Sequence, residues 1–145
     1  MTLATNLRGE LTTAERFLRE NTHAVGLVTI DLGFNNIRLC LWPATVDVAC
    51  AEHGISQVTQ SMPAIVRDLE QAVGPRVHFV GILYADPFLT HDFDGASGAV
   101  QANVSLSMVD QLNQALSVVY SAAHVPKEYP MMCDYSFGLA TVVHV

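Results

Sequence analysis

A chain of 145 residues, half of them hydrophobic and only 14% charged, is too apolar for a disordered segment and of a length that favours one domain. The formal net charge of -7 and the scatter of seven Lys and Arg residues exclude the basic footprint of nucleic-acid binding. No apolar run approaches the ~18 residues of a membrane span.

Leu11–Glu20 reads as a helix, with Leu11, Ala14, Phe17 and Leu18 on one face and Thr12 and Glu15 at capping-box spacing. A strand is predicted over about Val25–Asp31, an apolar β-branched run that ends in Gly33-Phe34-Asn35-Asn36. This is the most informative stretch, because a buried strand that delivers glycine and paired amides to a sheet rim is where open α/β sheets bind and react. Leu39–His53 reads as a long loop broken by Pro43 and Gly54. An amphipathic helix follows, with Pro63 in its first turn and Met62, Ile65, Val66, Leu69 and Val73 on its apolar side, up to Gly74-Pro75.

Val77–Tyr84 is a second strand, apolar enough to be covered on both faces, and Ala85-Asp86-Pro87-Phe88 is a second rim loop. Thr90–Gly98 reads as a surface loop. Val100, Val104, Met108, Leu112, Ala115 and Val119 mark a helix to about Ala122, and short strands are expected at Tyr129–Met132 and Leu139–Val145. Helix–strand–helix–strand–helix is the order of an α/β layered fold with a small parallel sheet.

Cys40, Cys50 and Cys133 cannot all pair. Cys40 and Cys50 can bridge a loop in an oxidising compartment, but Met1–Glu20 lacks the basic-then-apolar order of a signal peptide. Reduced, partly buried thiols and a cytoplasmic location are therefore expected of the chain as written. The low charge content suggests that some apolar surface serves a partner.

Two blocks resemble a known family. Val28-Thr29-Ile30-Asp31-Leu32-Gly33-Phe34-Asn35-Asn36 resembles the strand and Gly-x-Asn-Asp block of SGNH (GDSL-type) hydrolases, which are esterases and lipases. Val80-Gly81-Ile82-Leu83-Tyr84-Ala85-Asp86-Pro87-Phe88-Leu89 resembles the next strand of the actinobacterial branch, and Leu112, Asn113, Leu116 and Tyr120 its following helix. The Cys40 and Cys50 pair around Trp42 also fits, and related full-length proteins are secreted. The resemblance covers about residues 11–125; residues 126–145 diverge from it.

The resemblance implies a partial flavodoxin-like, three-layer domain over 1–145, supplying the third and fourth strands of a 2-1-3-4-5 sheet, with the fifth left open. It implies carboxylic-ester hydrolysis, with Gly33 and Asn35 as the oxyanion block and Asn36 where the family has aspartate. The family's Gly-Asp-Ser turn and Asp-x-x-His pair have no match here; Thr141-Val142-Val143-His144 has the histidine without the acid. Nucleophile and base are thus unassigned, and an isolated chain is expected to be inactive, with an unpaired strand edge that invites a homo-oligomer or a complementing chain. No cofactor or metal is expected, and a small ester is the substrate implied.

Two other readings compete. One is a non-catalytic binding or assembly module that pairs through the exposed edge strand. The other is a small α/β enzyme of unrelated chemistry, for which no nucleophile–base pair stands out. Other residues have plainer readings. Ser97, in Gly95-Ala96-Ser97-Gly98, reads as a helix N-cap rather than a nucleophile elbow. His91-Asp92-Phe93-Asp94 reads as a solvated turn rather than a metal loop, His78 as a structural histidine and Asp86 as the cap of its rim loop. Asn35-Asn36 can also hold a turn through local side-chain bonds.

Overall fold

Strands β1 (Leu27–Ile30) and β2 (His78–Ile82) run parallel, with Leu27 opposite His78 and Ile30 opposite Gly81. A two-residue strand, β3 (Lys127–Glu128), extends the sheet on the far side of β2, giving the order β1-β2-β3. The computed structural model describes residues 3–42 and 45–128. Around the sheet lie helices α1 (Leu3–Glu20), α2 (Asn35–Leu41), α3 (Val48–Val73) and α4 (Ala96–Ala122), with a 3₁₀ segment over Pro87–Asp94. The protein is thus mixed α/β, mostly helical, with a small parallel sheet. The strands expected at Tyr129–Met132 and Leu139–Val145 lie outside the described residues.

One face of the sheet is fully buried. Val28 and Ile30 of β1, Phe79 and Gly81 of β2, and Leu83 just beyond it point into the core. Gly81 is required there, because a Cβ would overlap the Tyr120 ring of α4. The Tyr120 hydroxyl reaches across to donate to the Ile30 carbonyl at 3.3 Å. On the opposite face Leu27 and His78 are exposed, and Thr29, Val80 and Ile82 are only half-buried. The expectation that β2 is covered on both faces therefore holds for one.

Helix α3 is the hub, touching α1, α2 and α4. Its predicted apolar face, Met62, Ile65, Val66, Leu69 and Val73, is buried. Its start is earlier than the sequence suggests, because Asp47 caps it by accepting from the Cys50 N–H at 3.0 Å. Pro63 consequently sits inside α3 rather than in its first turn. Thr59 and Pro63 are both exposed, so water can take the carbonyl that the proline leaves without a donor. Gly54, read as a breaker, is a close-approach glycine: a Cβ there would overlap the Asn36 carbonyl of α2. The predicted loop over residues 39–53 is replaced by the end of α2, a short connection and the start of α3.

Three further expectations are corrected by burial. Helix α1 starts at Leu3, so Thr12 lies within it and not at its cap; Leu11, Ala14 and Leu18 pack on the core, while Phe17 is partly exposed. The segment 90–98 lies on the surface as expected but is not a loop: the 3₁₀ segment runs to Asp94, α4 starts at Ala96, and the backbone at His91 packs so tightly on the first turn of α4 that only glycine fits at Gly98. On α4 Met108, Leu112 and Val119 are buried as predicted, but Val100 is exposed, Val104 and Ala115 are only partly buried, and the stripe also takes in Ala102, Ser105, Val109, Leu116 and Tyr120.

Cys40 and Cys50 form a disulfide with Cα atoms 5.6 Å apart, which overturns the expectation of reduced thiols. Cys40 is buried in α2 and Cys50 lies in the first turn of α3, so the bond closes the connection between the two helices. No described helix is long and apolar enough to cross a membrane.

Candidate functional site

The carboxyl ends of parallel strands share one edge of the sheet, so the loops after β1 and β2 emerge side by side. Chain reversal after β1 depends on Gly33, whose φ of 124° is a conformation open to glycine. A Cβ there would rest on Val58 of α3 at 3.4 Å. The backbone then enters α2 at once: Asn36 N–H donates to the Gly33 carbonyl at 3.0 Å, and Ile37 N–H to that of Phe34 at 3.0 Å. Asn35 and Asn36 are therefore the first residues of a helix and not a side-chain-bonded turn. Asn35 is exposed, and no side chain caps α2. The Asn36 amide donates to Gln57 at 3.3 Å, and Gln57 in turn contacts His53 Nε2 at 3.1 Å.

Aromatic rings join the two rim loops. Phe34 stacks on Tyr84 with centroids 5.2 Å apart and on Phe88 at 6.4 Å. Trp42, at the end of α2, meets Phe88 edge-on at 5.8 Å, and His91 stacks on its ring at 6.3 Å. Offset and edge-on ring pairs contribute about 0.5–1.5 kcal/mol each beyond burial, so this array holds the loops in one relative position. Trp42 remains 69% exposed and Leu39 66%, and on α2 both follow Asn35 at spacings of four and seven residues, hence on its face.

Behind the rings the loops are pinned by polar bonds. Asp86 is buried and caps its own loop, accepting from Phe88 N–H at 2.9 Å and from the Ser105 hydroxyl at 2.6 Å. Its reading as a loop cap holds. Tyr84 is gripped by the side chain of Asn113, which accepts from its N–H and donates to its carbonyl, each at 2.8 Å. Burial, and then the Asp31 carboxylate that its hydroxyl bonds, push the Tyr84 ionisation above the ordinary tyrosine range. Burial and Asp31 act on Tyr120 in the same direction.

No protein-family model, curated protein or solved structure matches this chain.

The chemistry at Asn35 is thus read from its own geometry. An exposed amide donor stands at the carboxyl edge of the sheet, flanked by aromatic surface. A hydroxyl activated by a base is not found beside it among the described residues. Ser105 is buried and bonded to Asp86 and to the Ala102 carbonyl. Ser97 is exposed in the first turn of α4, and Gly95 rather than Ser97 occupies the N-cap. Ser136 and His144 lie outside the described residues, as does the Asp-x-x-His comparison at 141–144. His91 pairs with Asp94 at 3.0 Å, and no described cluster of three metal-ligating residues exists. His78, read as a structural histidine, opens β2 and has its side chain exposed.

Sequence reasoning missed the Asn113 grip, the Asn36–Gln57–His53 chain and the aromatic array. Asn113 did carry a signal: an amide on the apolar face of a helix, between Leu112 and Leu116, must find partners when buried. The others join residues far apart in the chain, with no local pattern to announce them.

Proposed function

We propose that this chain is an SGNH (GDSL-type) hydrolase-like domain of the carboxylic-ester hydrolase lineage, carrying the oxyanion side of an acyl-transfer site. The observation that carries this reading is the placement of Asn35. It is exposed at the carboxyl edge, in the block that resembles the family's Gly-x-Asn-Asp, and the second resembling block lies against it through Phe34, Tyr84 and Phe88. In such a site a serine hydroxyl adds to the ester carbonyl, a base takes its proton, and amide donors stabilise the negative oxygen. Asn35 Nδ2–H is the donor, and Gly33 gives the turn that aims it. A donor without a nucleophile stabilises a transition state that is never approached, so the isolated chain is inactive on esters. The Cys40–Cys50 bond fits work in an oxidising compartment.

The test is to expose the chain to p-nitrophenyl acetate and to a fluorophosphonate that labels activated serines. The expected result is hydrolysis no faster than with the denatured chain, and no labelled serine. A labelled serine whose turnover is unaffected by Asn35→Ala would count against the assignment of Asn35.

A second reading rests on the edge of β1. The bond from His78 N–H to the Gly26 carbonyl sets the alternation of the parallel ladder, so the backbone groups of Leu27 and Thr29 point away from β2. Among the described residues no strand meets them. This favours a binding or assembly module that pairs through β1, with itself or with a complementing chain.

A further inference from the structure

We propose that the Cys40–Cys50 disulfide is a reducible clamp on α2, and that a dithiol reductant releases the helix that presents Asn35 without unfolding the rest of the domain. The structural part stands on its own; only its consequence for ester chemistry rests on the reading of Asn35 given above.

Helix α2 has seven residues, about two turns, too few to persist without tertiary support. Ile37 and Leu41 hold it to the core from one side. At its start, the Asn36 carbonyl lies over Gly54, and the Asn36 amide bonds Gln57. At its end, Asp47 N–H donates to the Cys40 carbonyl at 2.9 Å, and the disulfide ties Cys40 to the first turn of α3. The disulfide is the one covalent element of this set. By contrast, α4 is 27 residues long and is held by its own buried stripe and by Asn113 and Tyr120, none of which involves the cysteines. Loss of the clamp therefore falls on α2 first.

Access is unequal at the two ends of the bond. Cys40 is 3% exposed, whereas Cys50 lies on the surface. A thiolate of the reductant attacks Sγ of Cys50 and forms a mixed disulfide there. The Cys40 sulfur leaves with the electron pair of the old bond and takes a proton. The second thiol of the reductant then attacks its own sulfur in the mixed disulfide, closing a ring and releasing the Cys50 thiolate, which is protonated in turn. The protein gains two electrons and two protons, and the dithiol is oxidised to a disulfide.

Trp42 makes the event visible. It is the single tryptophan, two residues beyond Cys40, and is held edge-on to Phe88. Release of α2 takes its ring, already 69% exposed, off the Phe88 edge and frees its motion. The experiment uses the full chain with Cys133→Ser, treated with dithiothreitol until two thiols titrate, and follows Trp42 emission together with hydrogen exchange by mass spectrometry. Exchange in residues 35–41 is expected to rise by roughly tenfold or more while residues 108–120 keep their protection. Trp42 emission anisotropy falls as the ring is freed, and reoxidation reverses both changes. A Cys40→Ala, Cys50→Ala double variant should show the released pattern with no reductant present. Unchanged protection of 35–41 after both thiols titrate overturns the proposal. So does simultaneous loss over 35–41 and 108–120, which makes the bond a staple for the whole domain. Neither readout involves hydrolysis, so the clamp fails or stands separately from the oxyanion reading.

Discussion

Asn113 and Tyr84 meet as two amides do in a sheet: the Asn113 side chain accepts from the Tyr84 N–H and donates to its carbonyl, each at 2.8 Å. Tyr84 lies just beyond β2, past Ile30 and Gly81, the last pair of the ladder with β1, so α4 supplies from a side chain what a neighbouring strand would otherwise supply. This bond pair fixes the backbone that carries the Tyr84 ring against Phe34, and Phe34 immediately precedes Asn35.

Asn113→Ala should therefore be costly beyond the loss of one side chain. It leaves two backbone groups in a part-buried position without partners, each worth about 1–3 kcal/mol. A loss of about 2–4 kcal/mol is expected in urea unfolding. Asn113→Asp keeps the acceptor for Tyr84 N–H but sets a carboxylate oxygen against the Tyr84 carbonyl, and should also destabilise. A change below about 0.5 kcal/mol in the alanine variant, the level of an ordinary surface substitution, would mean that the grip carries no load.

Gly81→Ala tests the packing of α4 on the sheet. The added methyl overlaps the Tyr120 ring, which is fully buried and cannot retreat into solvent. Overpacking of this kind costs about 1–3 kcal/mol. Adding Tyr120→Leu makes room, so the double variant should lose less than the two single effects combined. Additive losses, read from denaturant midpoints, would place the cost of Gly81→Ala elsewhere.

Alkaline stability follows from Tyr84 and Tyr120. Burial raises the ionisation of both in the folded chain, and Asp31 raises it further. Below the ordinary tyrosine value of 10.0 both states are protonated, and the stabilisation is fully present. Above it the unfolded chain ionises and the folded chain does not, so stability falls as pH rises. Tyr84→Phe should flatten that decline, monitored by unfolding midpoint against pH and by tyrosinate absorbance. An equal decline in the variant would exclude Tyr84 as a source.

Much of this architecture is legible in the residues. The periodic face of α3 is buried as its spacing implies, because a stripe of apolar side chains has one way to leave water; on α1 Leu11, Ala14 and Leu18 pack on the core while Phe17 stays exposed. The strands and their rim loops also fall where β-branched runs meet glycine and proline. Boundaries fared worse wherever tertiary contact outweighed local propensity. Gly54 reads as a breaker until the Asn36 carbonyl is seen against it, and Pro63 reads as a helix start until Asp47 is seen capping sixteen residues earlier. The candidate site was legible as a motif at Gly33 and Asn35. Its support was not, since Tyr84, Phe88, Trp42 and Asn113 are brought to it by packing between separate elements. The Cys40–Cys50 pairing hinged on redox setting, which spacing does not encode.

The unpaired edge of β1 makes a prediction about association. Sedimentation should show species larger than one chain as concentration rises, since outward-facing N–H and C=O groups at Leu27 and Thr29 seek partners. Thr29→Pro removes a donor on that edge while leaving the ladder to β2 intact, and should shift the distribution towards single chains. A wild-type chain that stays monomeric across the accessible concentrations contradicts edge pairing.

The oxyanion role of Asn35 is tested most directly by completing the site. The chain is mixed with a polypeptide bearing a β-strand that ends in Gly-Asp-Ser and a helix bearing Asp-x-x-His, and hydrolysis of p-nitrophenyl acetate is followed. Turnover should appear in the mixture and fall by on the order of a hundredfold or more with Asn35→Ala, the usual cost of losing one oxyanion donor. No turnover when the two polypeptides demonstrably bind, or turnover indifferent to Asn35→Ala, would contradict the assignment.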